Sequence, residues 1–297
     1  MRYHDAMAFR VALEQRLRSR ADHGAGLARD RRRIAFDRLL VRLQMAAAGR
    51  WLLKGGFALD LRLGARARST KDVDIEWRAE EQELLDALLD AADEEADDFF
   101  VFAIERTGAP EDQLGGAHRF RVSASLAGRP FETFVLDVGL RTDDPIGTEA
   151  LRTDDLLTFA GLDPVEVDAI TLELQVAEKV HAYTRSYKGR RSSTRVKDLV
   201  DLVLIADLSD LDAAGLAREM QTIFALRDTH PPPPSLPAPP AEWARPFARL
   251  AEEVGITVNL EAGHQEAAAM LDPILGRKVA DGRWSPADRA WAAPSPD

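Results

Sequence analysis

In the segment KDVDIEW at residues 71–77, the six residues after Lys71 alternate strictly between acidic and apolar side chains. The apolar positions are Val73, Ile75 and Trp77, and the acidic positions are Asp72, Asp74 and Glu76. A period of two residues is that of a β-strand, whose successive side chains point to opposite faces. The segment therefore predicts a strand with one face in a core and three carboxylates on the other face.

A glycine turn precedes this strand in the sequence. The short apolar run WLLK ends at Gly55 and Gly56, and the following FALDLRL has a helical pattern. Glycines before a helix let the backbone approach a phosphate closely, and the helix N-terminus favours negative charge. In the loop after the helix, Arg66, Arg68 and Lys71 add positive charge that would attract an anion.

Two aspartates two residues apart on a strand lie about 6–7 Å apart at their Cα atoms, which suits a shared divalent cation. The chain has no cysteine, so a metal site must use carboxylates, histidines, carbonyls or water, and this favours a hard cation such as Mg²⁺. Aspartate-held Mg²⁺ is typical of phosphoryl and nucleotidyl transfer. The charged N-terminal segment and the absence of a long apolar run predict a cytoplasmic protein without a membrane span.

The periodicity along the chain predicts an α+β fold. Two amphipathic helices over residues 5–20 and 30–48 precede the strands, and from about residue 165 the pattern becomes helical. We expect a domain with a small mixed sheet flanked by helices over 1–160, and a mainly helical domain over 161–297. The second domain contains a proline-rich loop at 230–240, and the active site is expected in the cleft between the domains.

A basic segment, residues 185–197, contains six basic residues and no acid in a chain of formal net charge −11. Positive charge with neighbouring aromatic side chains suits a nucleic-acid backbone and its bases. The expected RNA-binding residues are Arg185, Lys188, Arg190, Arg191 and Arg195. A solvated loop between two helices is the alternative interpretation.

Four motifs occur in order between about residues 50 and 205, namely KGGFALDLRLG, RSTKDVDIE, AEKVHAYTR and RVKDLVDL. As an ordered set they resemble the motifs of the AbiEii/AbiGii-type nucleotidyltransferase toxins, which include the MenT toxins. These toxins belong to the DNA polymerase β-like nucleotidyltransferase superfamily. The resemblance implies a nucleotidyltransferase domain followed by the helical domain, with an NTP as substrate and Mg²⁺ as cofactor, Mn²⁺ being the alternative.

The resemblance also implies roles for individual residues. The expected catalytic residues are Asp72, Asp74, Lys179, Asp198 and Asp137, and the expected metal ligands among them are Asp72, Asp74 and Asp137. The expected nucleotide-binding residues are Lys54, Gly55, Gly56, Thr70, Lys71 and Lys179. Asp137 is the candidate third carboxylate on a neighbouring strand, with Asp143 and Asp144 as runners-up. Glu76 is expected to support the site or to face solvent.

The function implied by the resemblance is transfer of NMP to an RNA acceptor, with the 3′ end of tRNA as the leading acceptor and a block of translation as the result. The protein would then be a toxin with a genetically linked antitoxin. One alternative keeps the chemistry but uses a small molecule of the aminoglycoside type or a protein hydroxyl as acceptor. The other alternative is a non-catalytic module that binds a nucleotide or RNA.

Overall fold

The computed structural model describes residues 1–20, 24–108, 118–140, 147–185 and 195–293. The chain divides into two compact units. Unit 1 comprises Met1–Arg62 and Ser69–Ile170, and unit 2 comprises Leu63–Arg68 and Thr171–Asp297.

Unit 1 is a mixed β-sheet with helices. Its helices are α1 (Ala6–Arg20), α2 (Gly24–Ala47), α3 (Gly55–Leu63, whose last residue belongs to unit 2) and α4 (Glu81–Asp93). Its strands are β1 (Trp51–Lys54), β2 (Asp72–Trp77), β3 (Phe100–Arg106), β4 (His118–Leu126), β5 (Arg129–Leu140), β6 (Thr148–Arg152) and β7 (Glu166–Ile170). The strands form one seven-stranded sheet in the order β3-β4-β5-β2-β1-β7-β6. β2 pairs with β5 and β1 with β7 in parallel, and the other neighbours are antiparallel.

The strand predicted from the alternating segment is β2. Val73 and Ile75 are completely buried in the core of unit 1. Phe36 of α2 belongs to the same core and packs edge-on against Phe57 of α3 and Phe134 of β5, with ring centroids 5.0 and 4.8 Å apart. Each fully buried aliphatic or aromatic side chain contributes about 1.5–3 kcal/mol, so the apolar face fixes which side of β2 carries the acids.

The prediction that the helical region starts near residue 165 is wrong, because β7 occupies the next five residues. Leu53 of β1 lies opposite Ala169 of β7, and β6 pairs with the other edge of β7. Thr171 then caps the next helix, since its side chain accepts a hydrogen bond from the backbone of the first turn. The helix itself begins at Leu172.

Unit 2 is mainly helical. Its helices are α5 (Leu172–Thr184), α6 (Val196–Leu208), α7 (Ala213–Arg227), α8 (Ala244–Glu253) and α9 (Leu260–Leu275). A small antiparallel sheet in the order β10-β9-β8 is formed by β8 (Leu211–Asp212), β9 (Arg283–Ser285) and β10 (Ala290–Ala292). The proline-rich segment 230–240 has neither helix nor strand.

These two units confirm the α+β fold that the sequence predicts, with a mixed sheet flanked by helices in the N-terminal part and helices in the C-terminal part. Helix α6 is apolar on nearly all sides and lies in the core of unit 2. Trp284 of β9 donates a hydrogen bond from its indole nitrogen to the carbonyl of Ala206 on this helix. No helix within the described ranges combines the length and the apolar character that a bilayer span requires.

Candidate active site

Four strands of the sheet carry charged side chains at neighbouring positions. Lys54 on β1 lies opposite Asp74 on β2, and Asp74 lies beside Asp137 on β5. Across the next pair of strands, Asp137 faces Arg119 on β4. Paired residues project from the same face of a sheet, so these four residues form a row with the charges plus, minus, minus, plus. Asp72 lies two residues before Asp74 on the same face, so the three expected metal ligands occupy two neighbouring strands.

Gly55 brings the backbone at the start of α3 against the carboxylate of Asp74. Its φ of +67° lies in the left-handed region, which glycine adopts without steric cost. A Cβ atom at this position would stand only 2.1 Å from Oδ2 of Asp74. The close approach therefore requires glycine, and it places the acid at the N-terminal end of a helix. Gly56 follows as the second residue of α3.

Lys54 and Glu76 form an ion pair on this face, with 3.2 Å between Nζ and Oε2. Glu76 is only 3% exposed, so the expectation of a solvent-facing acid is wrong and the alternative of a supporting acid remains. The lysine side chain reaches Glu76 by passing Gly139 of β5, where an added Cβ would be 3.0 Å from Nζ. If Lys54 binds the nucleotide as predicted, it does so beside the buried carboxylate of Glu76.

Thr70 and Lys71 lie directly before β2. The Thr70 hydroxyl donates a hydrogen bond to the Asp72 carbonyl at 3.2 Å and accepts one from the Asp72 amide at 3.5 Å. Thr70 thus holds the start of the strand, while the side chain of Lys71 is exposed. Ser69 accepts a hydrogen bond from Arg32 of α2 at 2.9 Å.

Arg119 engages both oxygens of Asp137. Its Nε lies 2.7 Å from Oδ1 and its Nη2 lies 2.8 Å from Oδ2, which is the bidentate geometry of a strong arginine–carboxylate pair. The hydrogen bonding to Asp137 raises the pKa of Arg119 against a smaller lowering by burial, and the charges of Asp137, Asp72 and Asp74 raise it further. Sequence reasoning missed this arginine, because only the β4–β5 register brings it to the acids.

The donor chemistry of Asp72, Asp74 and Asp137 fits a hard divalent cation, which binds carboxylate oxygens. Within the described part of the chain, however, no three histidine, aspartate or glutamate side chains are arranged to hold a metal ion. Both oxygens of Asp137, the expected third carboxylate, accept hydrogen bonds from Arg119. Asp143 and Asp144, the runners-up for that position, lie outside the described residues.

A second cluster of charges lies in unit 2 around Lys179 of α5. Its Nζ donates a hydrogen bond to Oδ2 of Asp201 at 2.6 Å. Arg68 donates to both oxygens of the same carboxylate, at 2.9 and 3.1 Å. Burial alone would raise the pKa of Asp201, but attraction and hydrogen bonds from Lys179 and Arg68 outweigh it and hold the pKa below its usual range. Lys179 is thus fixed by a carboxylate that is 0% exposed.

Asp198 is a more distant partner of Lys179 than Asp201 is. Oδ1 of Asp198 lies 3.8 Å from Nζ of Lys179, and Oδ2 accepts a hydrogen bond from Arg195 at 3.1 Å. Sequence reasoning singled out Asp198 and missed Asp201, although both aspartates belong to the same RVKDLVDL motif. The sequence feature that points to Asp201 is its spacing of three residues from Asp198, which puts both aspartates on similar sides of α6.

The basic residues expected to bind RNA are described only in part. Within the basic segment, Arg185 directly follows α5 and Arg195 directly precedes α6. The other three, Lys188, Arg190 and Arg191, lie outside the described residues. Arg66 and Arg68, which follow α3, are predicted to attract an anion. In the structure, Arg66 contacts Asp207 at 3.2 Å and Arg68 contacts Asp201.

Comparisons with known proteins identify the family. The family model "Nucleotidyl transferase AbiEii toxin, Type IV TA system" matches residues 38–284. The solved structure of MenT4, a nucleotidyltransferase toxin from Mycobacterium tuberculosis H37Rv, matches with a TM-score of 0.55 and 20% sequence identity, over 87% of this chain and 92% of that chain. JHP933 from Helicobacter pylori matches with a TM-score of 0.48 and 16% identity, over 83% of this chain and 93% of that chain. No curated protein matches the chain.

The similarity to MenT4 shows a shared fold. The family match extends over most of the chain and includes the acidic strand β2 as well as the Lys179 cluster. Membership in this family makes the protein a nucleotidyltransferase and implies a linked antitoxin. The chain therefore belongs to the AbiEii family of nucleotidyltransferase toxins of type IV toxin–antitoxin systems.

Proposed function

We propose that this nucleotidyltransferase transfers a nucleoside monophosphate from an NTP to the 3′ end of tRNA in the cytoplasm, with Mg²⁺ as cofactor. The observation that carries the proposal is the row of charged residues across the sheet, in which Asp74 and Asp137 lie side by side with Asp72 on the same face. Gly55 adds a helix N-terminus beside Asp74. Carboxylates with a helix N-terminus suit a metal-bound triphosphate.

In this proposal Asp72, Asp74 and Asp137 hold the divalent cation. The cation, when bound, neutralises charge on the phosphate oxygens. The acceptor hydroxyl oxygen forms a bond to the α-phosphorus, the bond from the α-phosphorus to the bridging oxygen breaks, and pyrophosphate leaves. Asp137 is the candidate acceptor of the hydroxyl proton, and the backbone at Gly55 admits the phosphates at the start of α3.

Lys179 is proposed as a ligand of the triphosphate, in line with the family motif. Its two carboxylate neighbours in unit 2 differ in their distance from the ammonium group. Asp201 accepts a hydrogen bond from it at 2.6 Å, whereas Asp198 lies 3.8 Å away. A buried ammonium group loses hydration, and the paired carboxylate of Asp201 offsets this loss. Asp201 and Arg68 are therefore positioning residues, and Lys179 is the group that would meet the substrate.

The choice of tRNA as acceptor rests on the resemblance of the motifs to the toxin family and on the basic segment, to which Arg185 and Arg195 belong. A polyanionic acceptor binds through several such cations, and its affinity falls with added salt. Nucleotides added to the 3′ end of tRNA would prevent aminoacylation. Translation would stop for that reason, which is an effect expected of a toxin.

The test is incubation of the purified protein with total tRNA, Mg²⁺ and each α-phosphate-labelled NTP in turn. Asp72→Ala is the site variant, and Asp86→Ala, an exposed position on α4, is the matched control. Label on tRNA should fall about 100-fold or more in Asp72→Ala and remain unchanged in Asp86→Ala. Omission of Mg²⁺ should abolish labelling in all three proteins.

Other outcomes would refute parts of the proposal. Label on a small molecule or a protein, but not on tRNA, would keep the chemistry and replace the acceptor. No labelled product with any acceptor, together with measurable NTP binding, would support the non-catalytic module instead. Equal labelling by Asp72→Ala and wild type would remove the acidic row from the mechanism.

A further inference from the structure

The two carboxylates at the centre of the row have different environments. Asp137 is largely buried on β5, and both of its oxygens are held by the Nε and Nη2 atoms of Arg119. The arginine side chain is 39% exposed, whereas the aspartate side chain is 10% exposed. The short acid is therefore fixed by its strand, and the long arginine is the partner with access to solvent.

A bidentate arginine and a divalent cation make competing demands on this carboxylate. The guanidinium fork uses one lone pair of each oxygen in the plane of the carboxylate, where a metal ion would also bind. The positive charge of Arg119 in addition opposes a second cation at the same acid. Occupation of Asp137 by a metal ion is thus expected to require that Arg119 leaves it.

A guanidinium group that leaves a carboxylate needs a new anion. Phosphate matches it, because phosphate oxygens accept the same parallel pair of hydrogen bonds. Arg119 projects from the sheet face that also carries Asp72 and Asp74, and the phosphates of the proposed NTP would bind the cation held by these acids. A phosphate of the NTP can therefore replace Asp137 as the hydrogen-bonding partner of Arg119.

We propose that Arg119 is an exchange residue, which holds Asp137 in the metal-free enzyme and moves to a phosphate of the NTP when a divalent cation binds Asp137. The inference rests on the proposed function, since it requires a metal ion at the acidic row and an NTP above it. Arg119 then couples the two ligands, because it weakens the binding of the cation alone and strengthens the binding of the nucleotide that follows.

The first arm of the test measures Mn²⁺ affinity without nucleotide, by the electron paramagnetic resonance signal of free Mn²⁺. The variants are Arg119→Gln and Arg121→Gln. Arg121 lies two residues along the same face of β4, opposite Val135 on β5 and Glu105 on β3, so its variant removes an equal charge without touching Asp137. Arg119→Gln should bind Mn²⁺ about fivefold tighter than wild type, and Arg121→Gln should stay within about twofold. Unchanged or weaker binding in Arg119→Gln overturns the inference.

The second arm measures the affinity for the α,β-methylene analogues of the four NTPs at saturating Mn²⁺. Arg119→Gln should bind the preferred analogue about tenfold more weakly than wild type, and Arg121→Gln should not. Opposite signs in the two arms are the signature of an exchange. Tighter or equal analogue binding in Arg119→Gln would overturn it, because Arg119 would then only block the metal ion.

Asp74→Asn separates this inference from the proposed function. If wild type and Asp74→Asn bind Mn²⁺ equally, the metal site at the acidic row is wrong and the proposed function fails with it. If Asp74→Asn loses Mn²⁺ affinity but Arg119→Gln matches wild type, only the exchange is wrong. Circular dichroism of each variant verifies that it is folded before titration.

Discussion

Replacement of Asp201 by asparagine removes one charge from the centre of the Lys179 cluster while keeping the shape of the side chain. In the folded protein this carboxylate accepts three charge-assisted hydrogen bonds, one from Lys179 and two from Arg68. Loss of one partner from a buried ion pair costs about 3–5 kcal/mol. Asparagine keeps one acceptor, which returns about 1 kcal/mol. We therefore expect Asp201→Asn to lower the free energy of unfolding by about 3 kcal/mol.

Asp198→Asn is the matched comparison, because the same change is made three residues away on the same helix. Asp198 has one hydrogen bond to a partly exposed Arg195 and a 3.8 Å contact with Lys179, so we expect a cost of about 1 kcal/mol. Urea unfolding of the full chain, followed by far-ultraviolet circular dichroism, measures both values. An equal or larger loss in Asp198→Asn would refute the assignment of Asp201 as the carboxylate that fixes Lys179.

The stability difference between wild type and Asp201→Asn should depend on pH in a defined direction. Because the pKa of Asp201 is lowered in the folded state, its stabilisation is complete above the ordinary aspartate pKa of about 3.9 and is lost as the pH falls through the folded value. The difference in stability between wild type and Asp201→Asn should therefore be constant near neutral pH and shrink below about pH 4.

Two further predictions concern a glycine and a histidine. In thermal unfolding, Gly55→Ala should lose at least about 2 kcal/mol more stability than Gly49→Ala. Both glycines have positive φ, but only at Gly55 would a Cβ atom stand against Asp74. Equal losses in the two variants would contradict the close approach. His181 has its pKa lowered to about 4, first by burial and then by repulsion from neighbouring cations, so the unfolded chain binds the additional proton between about pH 6.5 and 4. The free energy of unfolding should therefore fall by up to about 3 kcal/mol over that interval, and His181→Gln should flatten this part of the profile; identical profiles would refute the lowered pKa.

The strand that carries the acids is predictable from local pattern alone. Its apolar positions are so regular that only one face can enter a core, and a slip of one residue would bury the acids instead. By contrast, the segment Glu166–Ile170 is a strand because β1 and β6 lie on its two sides. Its three buried residues, Val167, Ala169 and Ile170, do not distinguish a short strand from the start of a helix.

The choice between Asp198 and Asp201 depends on tertiary geometry. Residues three apart on a helix differ by about 60° around its axis, so either could meet Lys179 until the rotation of α6 against α5 is known. The structure resolves this rotation in favour of Asp201. Arg119 was hidden for a related reason, since its partner Asp137 lies 18 residues away and the two meet only through strand register.

The short segment Leu63–Arg68, which belongs to unit 2, has a consequence for the order in which the protein is completed on the ribosome. Arg68 and Asp201 are 133 residues apart, and Arg66 and Asp207 are 141 apart. At about 5–20 residues per second, the arginines are synthesised roughly 7–28 seconds before their acids. The six strands β2–β7 of the unit 1 sheet are synthesised in that interval. The ion pairs of Arg66 and Arg68 in unit 2 can form only after that interval. A fragment that begins at Thr171 would keep Asp201 and Asp207 but would lack both arginines.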